Sequence, residues 1–147
     1  MNINNQISPI DQNQALFQNE AEILNAMSHP ARLEILELLR DGESCVCHIQ
    51  AMLEQRQSYI SQQLNILRQA GLITSRKAGL RVYYQISSPD LFELLDQVKK
   101  ILQKLGKWQP EAAGQDNLMQ KKKACHCPQC VPNPGQELCK PAKVEYA

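Results

Sequence analysis

SCVCHIQAMLEQRQSYISQQLNILRQA, residues 44–70, reads as two short helices joined by a polar turn. Val46, Ile49 and Leu53 recur at helical spacing before Glu54-Gln55-Arg56-Gln57 interrupts the apolar stripe. Ile60, Leu64 and Leu67 restart it, and Gly71 supplies the stop expected just beyond a helix. Helices of about two and three turns with so short a join fit a helix-turn-helix. On the second helix Ser58, Tyr59, Ser61, Gln62 and Asn65 fall off the apolar stripe, and Gln57 and Arg68 flank them as further polar candidates. Short hydroxyls and amides there suit hydrogen bonds to phosphates and base edges in a major groove. An ordinary helical hairpin with a solvated polar face is the plainer reading of the two helices alone.

The next residues tip the balance. Leu72 to Ala78 and Leu80 to Ile86 flank Gly79, and Val82, Tyr84 and Ile86 alternate with Arg81, Tyr83 and Gln85. That pattern predicts a strand pair with a turn near Gly79. A helix-turn-helix followed at once by a hairpin is a winged helix, with Arg76, Lys77 and Arg81 placed near the wing tip for phosphate contact. The expected fold is mainly α with a small β-hairpin: a winged helix-turn-helix, dimeric, with an irregular Cys-rich tail.

Charge is partitioned in the same way. The 147-residue chain has a net charge of only +1. Residues 11–54 nevertheless hold eight acids against Arg32 and Arg40, a net of −6, whereas residues 55–89 hold five cations and no acid. A basic block that coincides with the candidate reading helix and wing is the footprint of a polyanion partner. No apolar run approaches the ~18 residues of a membrane span. The first residues, MNINNQISPIDQNQ, lack the pattern of a secretory signal. A cytoplasmic protein is expected, in which six cysteines point to metal or redox chemistry rather than a disulfide framework.

Along the chain, residues 1–10 read as a flexible N-terminus, 11–106 as the DNA-binding and dimerisation domain, and 107–147 as a Cys-rich extension. A helix from Asp11 to Met27 carries a broad apolar face, as at a subunit interface or in a core. His29 caps the following helix, whose first residue is Pro30 and which ends at Asp41-Gly42. Ser44 is then the expected N-cap of the next helix, with Cys45 first and Cys47 third. The helix dipole there favours thiolate. At ~100° per residue, such positions point ~200° apart, so one ion held by both cysteines requires the first turn to unwind or tilt. That distortion would pass to the reading helix. Small, half-buried apolar residues are the bland alternative for both cysteines.

Residues 28–88 resemble the ArsR/SmtB family of metal-responsive winged-helix repressors. The resemblance is carried by His29-Pro30-Ala31-Arg32-Leu33-Glu34-Ile35-Leu36, Cys45-Val46-Cys47-His48-Ile49, Ser58-Tyr59-Ile60-Ser61-Gln62-Gln63-Leu64, Ala70-Gly71-Leu72-Ile73 and Gly79-Leu80-Arg81-Val82-Tyr83-Tyr84. It implies a homodimer on an inverted-repeat operator that blocks transcription until an inducer binds. In the family's arsenic and cadmium sensors a Cys-Val-Cys box supplies inducer ligands, which maps onto Cys45 and Cys47. The chain departs from the pattern at Gln50, where arsenite sensors often carry a third cysteine, and His48 stands where Asp is usual. Residues 1–44 contain no cysteine, unlike the N-terminal arms of cadmium and lead sensors. The C-terminal helix has Asp90, Glu93 and Asp96 but no His, which disfavours a zinc or nickel site of the family's other type.

That C-terminal helix, begun by Ser88-Pro89, carries Leu91, Leu94, Leu95, Val98, Leu102 and Leu105 along one face, a near-heptad stripe suited to a dimer. Beyond Gly106, prolines accumulate around Cys125-His126-Cys127-Pro128-Gln129-Cys130, with Cys139 nine residues on. This is metal-ligand spacing. The four thiols either close a tetrahedral site themselves or complete the site begun by Cys45 and Cys47, in the same or the partner subunit; the second arrangement supplies the ligands the box lacks. The inducer expected is a thiophilic metal or metalloid ion: arsenite or antimonite first, then Cd²⁺, Pb²⁺ or Hg²⁺, then Zn²⁺. One rival keeps the DNA binding but makes the cysteines a redox or reactive-sulfur switch. Another is a metal-sequestering or thiol-exchange protein whose winged helix binds a protein. No nucleophile–base constellation, phosphate loop or organic-cofactor motif is present, so no catalytic residue and no enzyme is expected.

Overall fold

The structure is a computed structural model that describes residues 9–109. The order is α1 (Pro9–Met27), α2 (Pro30–Leu38), a 3-10 turn (Leu39–Asp41), β1 (Ser44–Cys45), α3 (Val46–Leu53), α4 (Gln57–Gln69), β2 (Ile73–Ala78), β3 (Arg81–Ile86) and α5 (Asp90–Lys104). The three strands form one antiparallel sheet in the order β1-β3-β2. The expected hairpin is therefore β2–β3, and the sheet has a third strand that the sequence reading missed.

Local chemistry sets the boundaries. His29 has extended backbone, and its Nδ1 accepts from the Ala31 N–H at 3.2 Å, capping α2 one residue before Pro30. Gly71, at φ +75°, ends α4: the Leu72 N–H reaches the Leu67 carbonyl and the Gly71 N–H the Arg68 carbonyl, each at 3.0 Å. That pairing satisfies the last carbonyls of the helix and turns the chain into β2. In the hairpin, Ala78 pairs with Arg81, so Gly79 and Leu80 form the two-residue tip. Gly79 takes φ +60° there, and Leu80 is fully exposed.

The core gathers Ile35, Leu36 and Leu39 from the second helical segment, Ile49 from α3, and Ile60, Leu64 and Leu67 from α4. Ile73 and Ile86 close it from the sheet. Burying each such side chain is worth roughly 1.5–3 kcal/mol, which makes this cluster the main support of the α3–α4 angle.

Two apolar stripes remain outside. On α1, Ala26 and Met27 are buried while Leu16, Phe17 and Leu24 are more than half exposed. On α5, Leu91 and Leu95 face the core while Leu94, Val98 and Ile101 do not, nor does Leu105 at its C-terminal cap. α5 is tied down by charge as well: Arg40 bonds both Glu37 and Asp96 and lies 4.6 Å over the Phe92 ring, and Lys99 reaches Glu37 at 2.8 Å. Among the described residues no helix is long and apolar enough to cross a membrane.

Candidate functional site

The thiol pair is built differently from the expectation. Ser44 is not the cap of α3. Ser44 and Cys45 form β1, and Cys45 itself is the N-cap, on extended backbone at φ −78°, ψ 157°. Val46 is then the first residue of the helix and Cys47 the second. The ~200° separation applies only to two residues inside one helix. Because Cys45 stands before the helix begins, its side chain turns toward that of Cys47, and the two Sγ atoms lie 2.7 Å apart. Unwinding α3 is unnecessary to bring both sulfurs to one point, so that part of the expected mechanism is withdrawn. Cys45 is buried, Cys47 is half-buried, and neither is in a disulfide.

What surrounds the pair comes from the wing. Cys45 is the register partner of Tyr83, and Ser44 of Tyr84, in the β1–β3 ladder. Arg81 lies close by: Tyr83 raises its pKa above the usual guanidinium value through a side-chain hydrogen bond, and the sulfurs of Cys45 and Cys47 add to the shift. Among the described residues no cluster of three or more His, Cys, Asp or Glu side chains is placed to hold a metal. Cys125, Cys127, Cys130 and Cys139 lie outside the described residues.

The polar face expected to meet DNA lies on α4. Gln57, Ser58, Ser61, Gln62, Asn65 and Arg68 are exposed along it, Arg68 donating to Asn65 Oδ1 at 3.0 Å. Tyr59 is half-buried, packs on the core and tilts against the His29 ring with centroids 6.5 Å apart. Gln63, a neighbour in sequence, is turned inward and only 6% exposed. Its Oε1 accepts from Arg32 at 3.0 Å, while the same guanidinium donates to the Ala26 and Asn25 carbonyls. One arginine thus fixes α4 to the end of α1. A polar residue on the apolar side of the α4 stripe, Gln63 beside Leu64, was the available signal for this contact.

On the wing, Lys77 and Arg81 are exposed near the tip, opposite Val82 and Ala78. Arg76 is more constrained. Its guanidinium is ion-paired with the buried carboxylate of Glu43 and stacks 4.8 Å over the Tyr83 ring. Glu43 holds the Arg76 pKa above its usual value. The acid-free block of residues 55–89 therefore does not remain acid-free in space, because the residue before β1 brings a carboxylate to it.

Comparison with known proteins agrees with this geometry. The family model for the bacterial regulatory protein, arsR family, matches residues 29–75. An uncharacterized HTH-type transcriptional regulator, Rv0081 of Mycobacterium tuberculosis, is 36% identical over 92 residues, which span 62% of this chain and 81% of that one. This chain belongs to the ArsR family. It is a transcriptional regulator, and its relatives are regulators rather than enzymes. The crystal structure of Rv0081 superposes with a TM-score of 0.57, covering 61% of this chain and 91% of that one. Another ArsR-type relative, the transcriptional repressor SmtB homolog of Synechocystis sp., is 35% identical over 86 residues, or 58% of this chain and 65% of the relative. The solution structure of the homodimeric winged helix-turn-helix DNA-binding domain of Mb0332 from Mycobacterium bovis has a TM-score of 0.59 at 31% identity, covering 63% of this chain and 86% of that one. The family model's match ends at residue 75, short of the Cys-rich extension.

Proposed function

We propose that this ArsR-family chain is a homodimeric repressor that leaves an inverted-repeat operator when its cysteines capture a thiophilic ion. Arsenite or antimonite ranks first, then Cd²⁺, Pb²⁺ or Hg²⁺, then Zn²⁺. The observation that carries this reading is the 2.7 Å approach of Cys45 Sγ to Cys47 Sγ. Two thiols already brought together need little further ordering to chelate, and thiolate sulfur selects soft ions. To hold an ion the pair opens by about an ångström, since two thiolates on a tetrahedral Zn²⁺ with ~2.3 Å bonds sit ~3.8 Å apart. Two sulfurs alone leave a three- or four-coordinate ion short, and the tail's Cys125, Cys127, Cys130 and Cys139 are the natural source of the rest.

The dimer reading is supported by the uncovered stripes of α1 and α5 and by the homodimeric state of Mb0332. A two-fold pair would set two α4 helices about one turn of DNA, ~34 Å, apart. The exposed polar face of α4 then addresses base edges, while Lys77 and Arg81 reach phosphates beside it.

A second reading is favoured by the same 2.7 Å distance. A peroxide or reactive-sulfur oxidant would take two electrons and two protons from the thiols, leaving a Cys45–Cys47 disulfide and reduced oxidant. Fluorescence anisotropy on the chain's own upstream DNA separates the two. Fully reduced protein is titrated with arsenite, Cd²⁺ and Zn²⁺ in turn. Release by one ion supports the metal reading and names the inducer, whereas indifference to every ion with collapse on mild oxidation supports the switch.

A further inference from the structure

The thiol pair and the wing share one row of the sheet. Cys45 on β1 pairs with Tyr83 on β3, and Tyr83 pairs with Arg76 on β2. Directly opposed residues on neighbouring strands share a face, so these three side chains lie side by side across the sheet. Arg76 stacks on the Tyr83 ring at 4.8 Å and is anchored to Glu43, two residues before Cys45. Arg81, two residues before Tyr83, is on that face too. Tyr83 therefore stands between Cys45 and Arg76 in the row, and it is also a hydrogen-bond partner of Arg81.

The two cysteines are not equally free to move. Cys47 belongs to α3, whose Ile49, Met52 and Leu53 are buried in the core. Cys45 is on a two-residue edge strand with two register pairs. Widening the sulfur pair from 2.7 Å to a chelate bite of ~3.8 Å takes about an ångström of motion. A short edge strand with few ladder bonds yields before a packed helix does. The displacement then falls on the Cys45–Tyr83 pair, not on the α3–α4 junction.

We propose that the state of the Cys45–Cys47 pair is read out through the wing, with Tyr83 as the positioning residue that passes it to Arg76 and Arg81. Inducer capture shifts Tyr83, Arg76 loses its seat on the ring, the exposed Arg81 guanidinium loses its poise toward phosphate, and α4 keeps its seat on the core. This rests on the thiol-sensing reading above, and it names the route by which that reading acts on DNA.

The test uses the full-length reduced protein with arsenite as the probe. Operator affinity is measured over a series of KCl concentrations with and without arsenite, while the thiols protected by arsenite are counted. The wild-type salt slope should shrink on arsenite binding by about 2 per dimer, the loss of one phosphate contact per subunit at ~0.9 each. Tyr83→Leu should protect the same number of thiols but lose less than about 3-fold in affinity, against the ~5–150-fold span of typical coupling. Arg81→Gln, at an exposed position that leaves the core intact, should start with a smaller slope and respond less. Thiol capture and operator release with an unchanged slope, or a wild-type response in Tyr83→Leu, would overturn the wing route while leaving the sensor reading in place. Absence of thiol capture in the wild type would overturn both.

Discussion

Cys45 and Cys47 place their sulfurs 2.7 Å apart although a single residue separates them, because one lies on a strand and the other in a helix. The junction between β1 and α3 is what brings together the two sulfurs of a C-x-C sequence. Wholly on a strand the same two residues would share a face but stand ~6.6 Å apart, and wholly on a helix they would point ~200° apart. The thiol chemistry of this ArsR-family regulator is thus set by where a helix begins.

That placement separates chemistry from folding in a simple variant. Serine is a better N-cap than cysteine, and Cys45 makes no side-chain capping bond of its own. Cys45→Ser should therefore keep folding stability within about 0.5 kcal/mol of wild type, or raise it slightly, as read by urea denaturation. The same variant should bind operator normally and ignore arsenite.

The dimer prediction rests on Val98, which is exposed on α5 beside Leu94 and Ile101. Val98→Glu should leave a folded protomer, because no core contact is removed, but should sediment as a monomer. Loss of the linked second half-site should cost about 100-fold or more in operator affinity. A stable Val98→Glu dimer would place the interface elsewhere.

Contacts on α4 and on the wing should differ in kind. Gln62→Ala should cost about 1–3 kcal/mol on the preferred operator and relax preference at one base position. Lys77→Gln should weaken binding to all sequences alike and lower the salt slope by about 1 per subunit. Competition against scrambled DNA at several salt concentrations distinguishes the two patterns.

Acid should loosen α5 first. Burial pushes the Glu37 carboxyl up, but hydrogen bonds and charge from Arg40 and Lys99 outweigh it and hold the group below its usual range. Asp96 is also held low, chiefly by Arg40. Carboxylates with depressed folded values stabilise fully above their unfolded values, ~4.3 for Glu and ~3.9 for Asp, and lose that contribution as pH falls through the folded ones. The thermal midpoint should hold level, as far as these groups decide it, down to about pH 5 and fall below about pH 4.5. Glu37→Gln should flatten that fall.

The helix-turn-helix and wing were legible because their apolar periods are long enough to read: Ile60, Leu64 and Leu67 on α4, and the alternation ending at Ile86 on β3. His29-Pro30 likewise announced its helix start, and the structure places the cap where the residues put it. β1 was not legible. Two residues have no period, and Ser44 before an apolar-periodic run imitates an N-cap. Missing that strand also hid the convergence of the sulfurs and the Cys45–Tyr83 pairing. Glu43 was misjudged for a related reason: counted along the chain it belongs to the acidic half, but folded it neutralises Arg76 in the basic one. Long-range pairs of this kind, and Arg32 with Gln63, leave little trace in local pattern.

The most direct test of the central claim, that the Cys45–Cys47 pair governs DNA occupancy, joins two readouts in one titration. Arsenite is added stepwise to the reduced protein on its operator, anisotropy is followed, and peptide mapping after alkylation reports which cysteines are shielded. The account predicts that release advances in step with shielding of Cys45 and Cys47 and is complete near one arsenite per subunit. Release while both of these cysteines remain open to alkylation, or full shielding of both with the operator still bound, would contradict it.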